Sequence, residues 1–367
     1  MKLKVSKKDF EKTLSKLQNL CDKKGSLPIL SNIYFEANED KLFLTTTNLE
    51  VGAKCKLSAF IEKPGDALCN TIKLFQIVKN LNSSEIEISS DDNKVYINTP
   101  NSNFKLAQAN KDEFPNFEIP NEFDIEVESY LLLNALKKVK PAISKEDLGG
   151  FTLSGIYFKV NENFLDVVST DTHRLHLYKI PLINKNNEGD ILIPKKSANE
   201  LMKFLKDTKI SKLAFQNGKL FVKADENVFF SISLEGTFPN YIKPFGLFEN
   251  SPLTLVVQRD DILKALKELS AIYANVKLDA KPITFIFEDN ILNLYASYEG
   301  EEGNIKIPCE IEGYLEEKII FNLQFLVDAI SSFDRNEIKM KFLGEDKPML
   351  IESDLENLKA VIMPMKI

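Results

Sequence analysis

An apolar residue followed by proline recurs at Phe114-Pro115, Phe238-Pro239 and Met363-Pro364, at spacings of 124 and 125 residues in a chain of 367. The first two copies extend further: Phe114-Pro115-Asn116-Phe117 matches Phe238-Pro239-Asn240-Tyr241. Near the start of each unit lies an i, i+4, i+7 apolar stripe: Phe10, Leu14, Leu17; then Leu132, Leu136, Val139; then Ile262, Leu266, Leu269. That spacing puts three side chains on one helix face. A repeat of this length is a domain, because solenoid units run only about 20–50 residues. Three copies of one domain suit a protein that works by geometry, arcing around something.

Each unit reads as strand, helix, hairpin-rich strands, second helix, further strands. In the first, a helix is expected from Lys7 to Asp22 and a hairpin turns at Asn38-Glu39-Asp40. A second helix begins near Ile72. The second unit repeats this with a helix at 130–140 and a turn at Asn161-Glu162-Asn163. Its second helix follows Pro194, a residue favoured in a first helical turn, and carries Leu201, Met202 and Leu205 inward. In the third the helices fall at 261–270 and 322–333. Linkers are expected around Pro120-Asn121-Glu122 and at 243–250.

Phe, with 26 copies, supplies the bulky core in place of the absent Trp. Cysteines 21, 55, 69 and 309 show no C-x-x-C spacing and read as reduced thiols. The N-terminus lacks an apolar signal region and no apolar run is long enough to span a bilayer, so a soluble, cytoplasmic protein without membrane partners is expected.

The net charge of −7 argues against a general nucleic-acid binder, but the distribution matters more than the sum. Lysines gather on the repeated helices: Lys7, Lys8, Lys12 and Lys16; Lys137, Lys138 and Lys140; Lys264 and Lys267; Lys73 and Lys79; Lys195, Lys196, Lys203 and Lys206. Acidic residues concentrate in turns such as Asp91-Asp92 and 299–302. Solvated amphipathic faces are one reading. Recurrence raises another, a shared surface for a phosphate backbone. With three Arg in the chain, such contact would be sequence-independent and salt-sensitive.

Chemistry is scarce. Asp171 and His173 form the most catalytic-looking pair, since an Asp can orient a His base. No nucleophile motif accompanies them. His173 and His176 are the only histidines, too few for a metal site by themselves. No Gly-rich phosphate loop is present, and Gly149-Gly150 reads as a loop. Asp171 also suits local turn hydrogen bonding. Neither a cofactor nor a metal is expected. The apolar C-terminal run from Val361 to Ile367 reads as a last core strand, but Pro364 ends any ladder. Met363 and Met365 are then left for a surface cleft, where flexible Met accepts varied partners.

These strings together resemble the bacterial DNA polymerase III beta subunit family, the replicative sliding clamps, over the full length. The resemblance rests on Leu27-Pro28-Ile29-Leu30, Leu153-Ser154-Gly155, Thr170-Asp171 with His173-Arg174-Leu175, Phe238-Pro239 and Met363-Pro364-Met365. It implies an α+β fold of three similar domains, placed at 1–120, 125–245 and 251–367. Each has two helices and antiparallel sheets, and two chains close head to tail into a ring around duplex DNA. The implied role is a non-catalytic processivity factor. Its implied partners are double-stranded DNA, the DNA polymerase III catalytic subunit, the clamp loader, and other replication and repair proteins.

The family's partner cleft falls on Leu153, Thr170, Thr172, His173, Arg174, Leu175, Pro239, Pro244, Val361, Met363, Pro364 and Met365, with His173 and Arg174 on its rim. Thr172 stands where the family usually has Gly, and Pro244 where a Val-like residue is common. DNA-facing positions fall on Lys24, Lys73, Lys195 and Lys196. Asp147 and Gly149 lie in a loop where other members carry amide or basic side chains. The head-to-tail interface falls on exposed-looking Phe104 and Leu106 against Ile272 and Tyr273. A monomeric interaction scaffold, and an enzyme using Asp171 and His173, are the competing readings.

Overall fold

The structure is a computed structural model that describes residues 1–23, 27–39, 41–144, 151–278, 280–316 and 318–366. The chain divides into two compact units. One comprises Met1–Tyr130, Ile183–Asn187 and Lys196–Ser233; the other Leu131–Leu182, Glu188–Lys195 and Leu234–Ile367. Seven helices are used below: α1 (Lys7–Leu17), α2 (Thr71–Asn80), α3 (Ser129–Val139), α4 (Lys195–Phe204), α5 (Lys243–Gly246), α6 (Arg259–Leu269) and α7 (Leu323–Ile330).

In the first unit, α1 starts where Ser6 accepts the N–H of Asp9, an acid in the positive first turn. Phe10, Leu14 and Leu17 are fully buried, as their spacing requires. The helix stops at Leu17 rather than Asp22. The Asp22 N–H donates to Leu30 O (2.9 Å), so the chain leaves the helix to meet the 3-10 turn Pro28–Ser31. Two antiparallel sheets complete the unit. A five-stranded sheet has Phe60–Lys63 and Ser102–Ala107 as its edges. A nine-stranded sheet joins two sequence repeats where Val51–Ser58 pairs with Asn227–Ile232, Phe229 opposite Ala53.

The second unit is built alike. Its nine-stranded sheet joins repeats where Arg174–Pro181 pairs with Leu358–Ile362, Leu175 opposite Val361. A four-stranded sheet ends on the edge strands Glu301–Pro308 and Ile319–Asn322. Leu132, Leu136, Val139, Ile262, Leu266 and Leu269 are all buried. Pro194 lies just before its helix, closing the strand Gly189–Pro194 opposite Gly155. From Lys196 on, α4 belongs to the first unit, where Leu201 and Leu205 are buried as expected while Met202 is only half-buried.

The Phe-Pro-Asn repeat has a packing role. Phe114 stacks on Tyr34 at 5.6 Å, and Phe238 on Tyr157 at 4.5 Å. Each tyrosine hydroxyl is bonded to a carboxylate, Asp66 or Asp190. Burial first, then that carboxylate, pushes both phenols up to about 12.

All four cysteines are free thiols, three of them buried. Burial pushes Cys55 and Cys69 up to about 12. Among the described residues no helix is long and apolar enough to cross a membrane.

Candidate docking cleft

The strands Phe164–Thr170 and Arg174–Pro181 are joined by a turn that binds itself. Thr170 Oγ1 donates to Arg174 O (2.7 Å) and accepts the Thr172 N–H (3.2 Å). Asp171 Oδ1 accepts the N–H groups of His173 (3.1 Å) and Arg174 (2.9 Å). This Asx turn forces Thr172 to a φ of +75°. A β-branched residue is strained there, which explains why Gly suits the position. Asp171 Oδ2 accepts Arg174 Nε at 2.9 Å, so the carboxylate serves the turn and the arginine rather than the His173 ring.

Arg174 is not on a rim. Its side chain is 1% exposed, with Nη1 2.6 Å from Asp328 and the guanidinium 4.3 Å from the centre of the Phe325 ring. Both partners come from α7. His173 is exposed and its ring stacks near Phe325 at 6.3 Å. Sequence reasoning missed Phe325 and Asp328; no motif marks them.

The last strand ends against this turn. The Met363 N–H donates to His173 O (2.8 Å), Pro364 has no N–H to offer, and the Met365 N–H reaches Ile320 O (2.7 Å). Val361 and Ile362 are therefore core, whereas Met363 is 38% exposed and Pro364 and Met365 are half-buried. Each reading of the tail holds for part of it. Val361 joins Leu175, Phe238, Tyr241, Phe248 and Leu350 in an apolar cluster. Pro239 follows Phe238 at the surface. Pro244 opens α5, whose Phe245 packs on the same cluster. Leu153 and Thr170 are buried, and Thr172 is exposed. Tyr241 donates to Asp166 Oδ2 at 2.8 Å, anchoring the segment after Pro239.

His176 is fully buried, its Nδ1 2.8 Å from Lys138 O and its Nε2 without a partner. Burial pushes its pKa down to about 4, so it is neutral. Among the described residues no cluster of three His, Cys, Asp or Glu could hold a metal.

Lys138 does not belong to a basic face. It is 5% exposed and held 2.7 Å from Glu356 and 2.8 Å from Asp334, because its helix position faces the core. Lys73 and Lys196 are exposed and Lys195 half-buried, with no carboxylate partner among the described residues. Lys12 pairs with Asp207 at 3.0 Å. Lys24, Asp147, Gly149 and Gly150 lie outside the described residues.

Of the four residues expected to be exposed at the interface, two are buried within the chain. Phe104 is 40% exposed and Ile272 half-buried, but Leu106 is 9% exposed and Tyr273 1%. Tyr273 donates its hydroxyl to Pro282 O, so it is a core anchor in its own unit.

Three family models match in sequence along the chain: the DNA polymerase III beta subunit N-terminal domain over residues 1–118, its central domain over 126–240 and its C-terminal domain over 248–366. A beta sliding clamp of Helicobacter pylori is 29% identical, over 97% of this chain and 95% of its own length. The crystal structure of the DNA polymerase beta subunit of Streptococcus pyogenes superposes with a TM-score of 0.92 at 19% identity, covering 100% of both chains. That of the Bacillus subtilis polymerase sliding clamp gives 0.91 at 23%, covering 100% of this chain and 99% of its own.

Proposed function

This chain belongs to the DNA polymerase III beta subunit family, and from that premise we propose that the surface around Leu175, Val361 and Met363 is the cleft that captures its protein partners. The protein is a DNA sliding clamp. It encircles duplex DNA as a head-to-tail dimer and tethers the replicative polymerase, without catalysing a reaction. We take it to be cytoplasmic, since a replication clamp works on the chromosome.

The observation that carries the cleft is the tail. A strand whose ladder stops at Pro364 leaves Met363 exposed and Met365 half-buried, two residues or more beyond Val361, which belongs to the apolar cluster. The ligand is a short, extended peptide with one or two bulky apolar anchors, supplied by polymerases and the clamp loader. An anchor fully buried contributes about 1.5–3 kcal/mol, so two anchors plus backbone hydrogen bonds fit micromolar binding. Calorimetric titration of a polymerase-tail peptide tests this. Undiminished binding after deletion of residues 363–367 refutes it.

We take the domains as 1–120, 125–245 and 251–367, a reading supported by the family matches at 1–118, 126–240 and 248–366, the third of which begins three residues earlier. Ring closure uses two open sheet edges, Ser102–Ala107 with Phe104 and Glu301–Pro308 beside Ile272. Pairing them between chains would complete a sheet of the same size as the two inside each chain, and removes both unpaired edges. Lys73, Lys195 and Lys196 face DNA. Direct affinity is weak and salt-dependent. Retention on a nicked circle should survive high salt and end when the circle is cut; equal retention after linearisation contradicts encirclement.

A further inference from the structure

The first unit holds a second copy of the turn that builds the cleft. In Thr47-Asn48-Leu49-Glu50-Val51, Thr47 Oγ1 donates to Val51 O (3.1 Å) and accepts the Leu49 N–H (2.9 Å). Asn48 Oδ1 accepts the N–H groups of Glu50 (3.1 Å) and Val51 (2.9 Å). These are the bonds of Thr170 and Asp171, in the same order. Leu49 has a φ of +76°, against +75° for Thr172. A strand of the following repeat also ends at the equivalent carbonyl: the Ile232 N–H donates to Glu50 O at 2.8 Å, as Met363 does to His173 O.

Beside this turn lies a cavity of about 540 Å³. Leu27, Leu30 and Leu49 give it apolar walls, with Leu27 and Leu49 each 49% exposed. Lys23, Lys196 and Glu200 also line it.

The two sites differ at the arginine. Val51 stands in the place of Arg174. The sixth residue of α7 is Asp328, which receives Arg174; the sixth residue of α4 is Glu200. Glu200 Oε1 takes Lys203 Nζ at 2.8 Å, but its Oε2 is buried without a hydrogen-bond partner among the described residues. A buried carboxylate oxygen with no donor is costly, and a guanidinium is the group that satisfies its counterpart.

We propose that this cavity is a second docking site, for a short extended peptide that carries leucine-like side chains and one arginine. The apolar side chains sit against Leu27, Leu30 and Leu49. The arginine binds Glu200 Oε2, as Arg174 binds Asp328 within the chain. Lys23 and Lys196 line the same cavity with Asp22 and Glu50, so its charges are mixed. The site shares no residue with the Met363 cleft.

The test uses the full chain carrying Met363→Asp, which silences the first cleft. Two fluorescein-labelled peptides are titrated by anisotropy, Gly-Leu-Arg-Leu-Gly and the same sequence with citrulline for arginine. The arginine peptide should bind saturably. Citrulline should weaken it about tenfold, the loss of one charge-assisted bond. Glu200→Gln should bring the two peptides to equal affinity while leaving the melting temperature unchanged. Leu49→Asn, which tolerates positive φ, should abolish binding. Absence of saturation at roughly millimolar peptide, or an arginine preference that survives Glu200→Gln, overturns the proposal. Neither result touches the first cleft, which is read separately with wild type and the polymerase-tail peptide.

Discussion

Arg174 and Asp328 lie 2.6 Å apart, and this pair fastens the turn at residues 170–174 to α7. The arginine is buried, with Asp171 and the Phe325 ring as its other neighbours. Removing Asp328 leaves the buried guanidinium with Asp171 alone, at a cost below the roughly 3–5 kcal/mol of a fully stranded buried charge. Asp328→Ala should therefore lower the denaturation midpoint and weaken peptide binding at the Met363 cleft together. A variant with unchanged stability would show that the pair does not hold the turn.

Thr172→Gly should stabilise the chain by up to about 1 kcal/mol. Relief of the positive-φ strain outweighs the added flexibility of the unfolded chain. Leu49→Gly should behave alike, since its φ is the same. A drop in melting temperature for both variants would mean that neither backbone is strained.

His176 predicts an acid weakness. Its folded pKa of about 4 lies below the ordinary value of 6.5, so the unfolded chain binds the proton first. Its share of stability is full above about pH 6.5 and is lost as pH falls towards 4, by about 3 kcal/mol in all. His176→Asn should be less stable at pH 7 yet show a flatter pH profile. Parallel melting-temperature profiles for the two proteins would exclude His176 as the cause.

Met363→Ala should weaken polymerase-tail peptide binding by about 1–2 kcal/mol, the range for part of a buried anchor. Deleting residues 363–367 should abolish it. Neither change touches Phe104 or Ile272, so the dimer mass should persist in ultracentrifugation.

Phe104→Asp should shift the ring towards monomer at nanomolar concentration, because it places a charge on an edge strand that must pair. Tyr273 is unsuitable for this test, since its hydroxyl holds Pro282 O within its own fold. A fully dimeric Phe104→Asp would move the interface elsewhere.

The apolar stripes at Phe10, Leu132 and Ile262 were legible because helix periodicity is local. The Asx turn was legible through Asp171 itself. Arg174 was misplaced because its partner Asp328 lies 154 residues away, and nothing local announces a buried ion pair. Lys138 failed for the same reason: Glu356 comes from a distant segment. Leu106 and Tyr273 read as exposed because an edge strand and a 3-10 turn hide their inward faces from sequence. The repeated turn at Asn48 escaped notice since Leu49-Glu50-Val51 shares no letter with Thr172-His173-Arg174, although the hydrogen bonds match.

The buried cysteines have a practical consequence for watching such a ring move. With Cys55 and Cys69 pushed up to about 12, and Cys21 and Cys309 also raised by burial, very little thiolate is present at neutral pH. Maleimide dyes react with thiolate. A single cysteine introduced at an exposed position such as Lys79 should outcompete the native four, so a fluorophore can be attached without first stripping the sequence of its own sulfur.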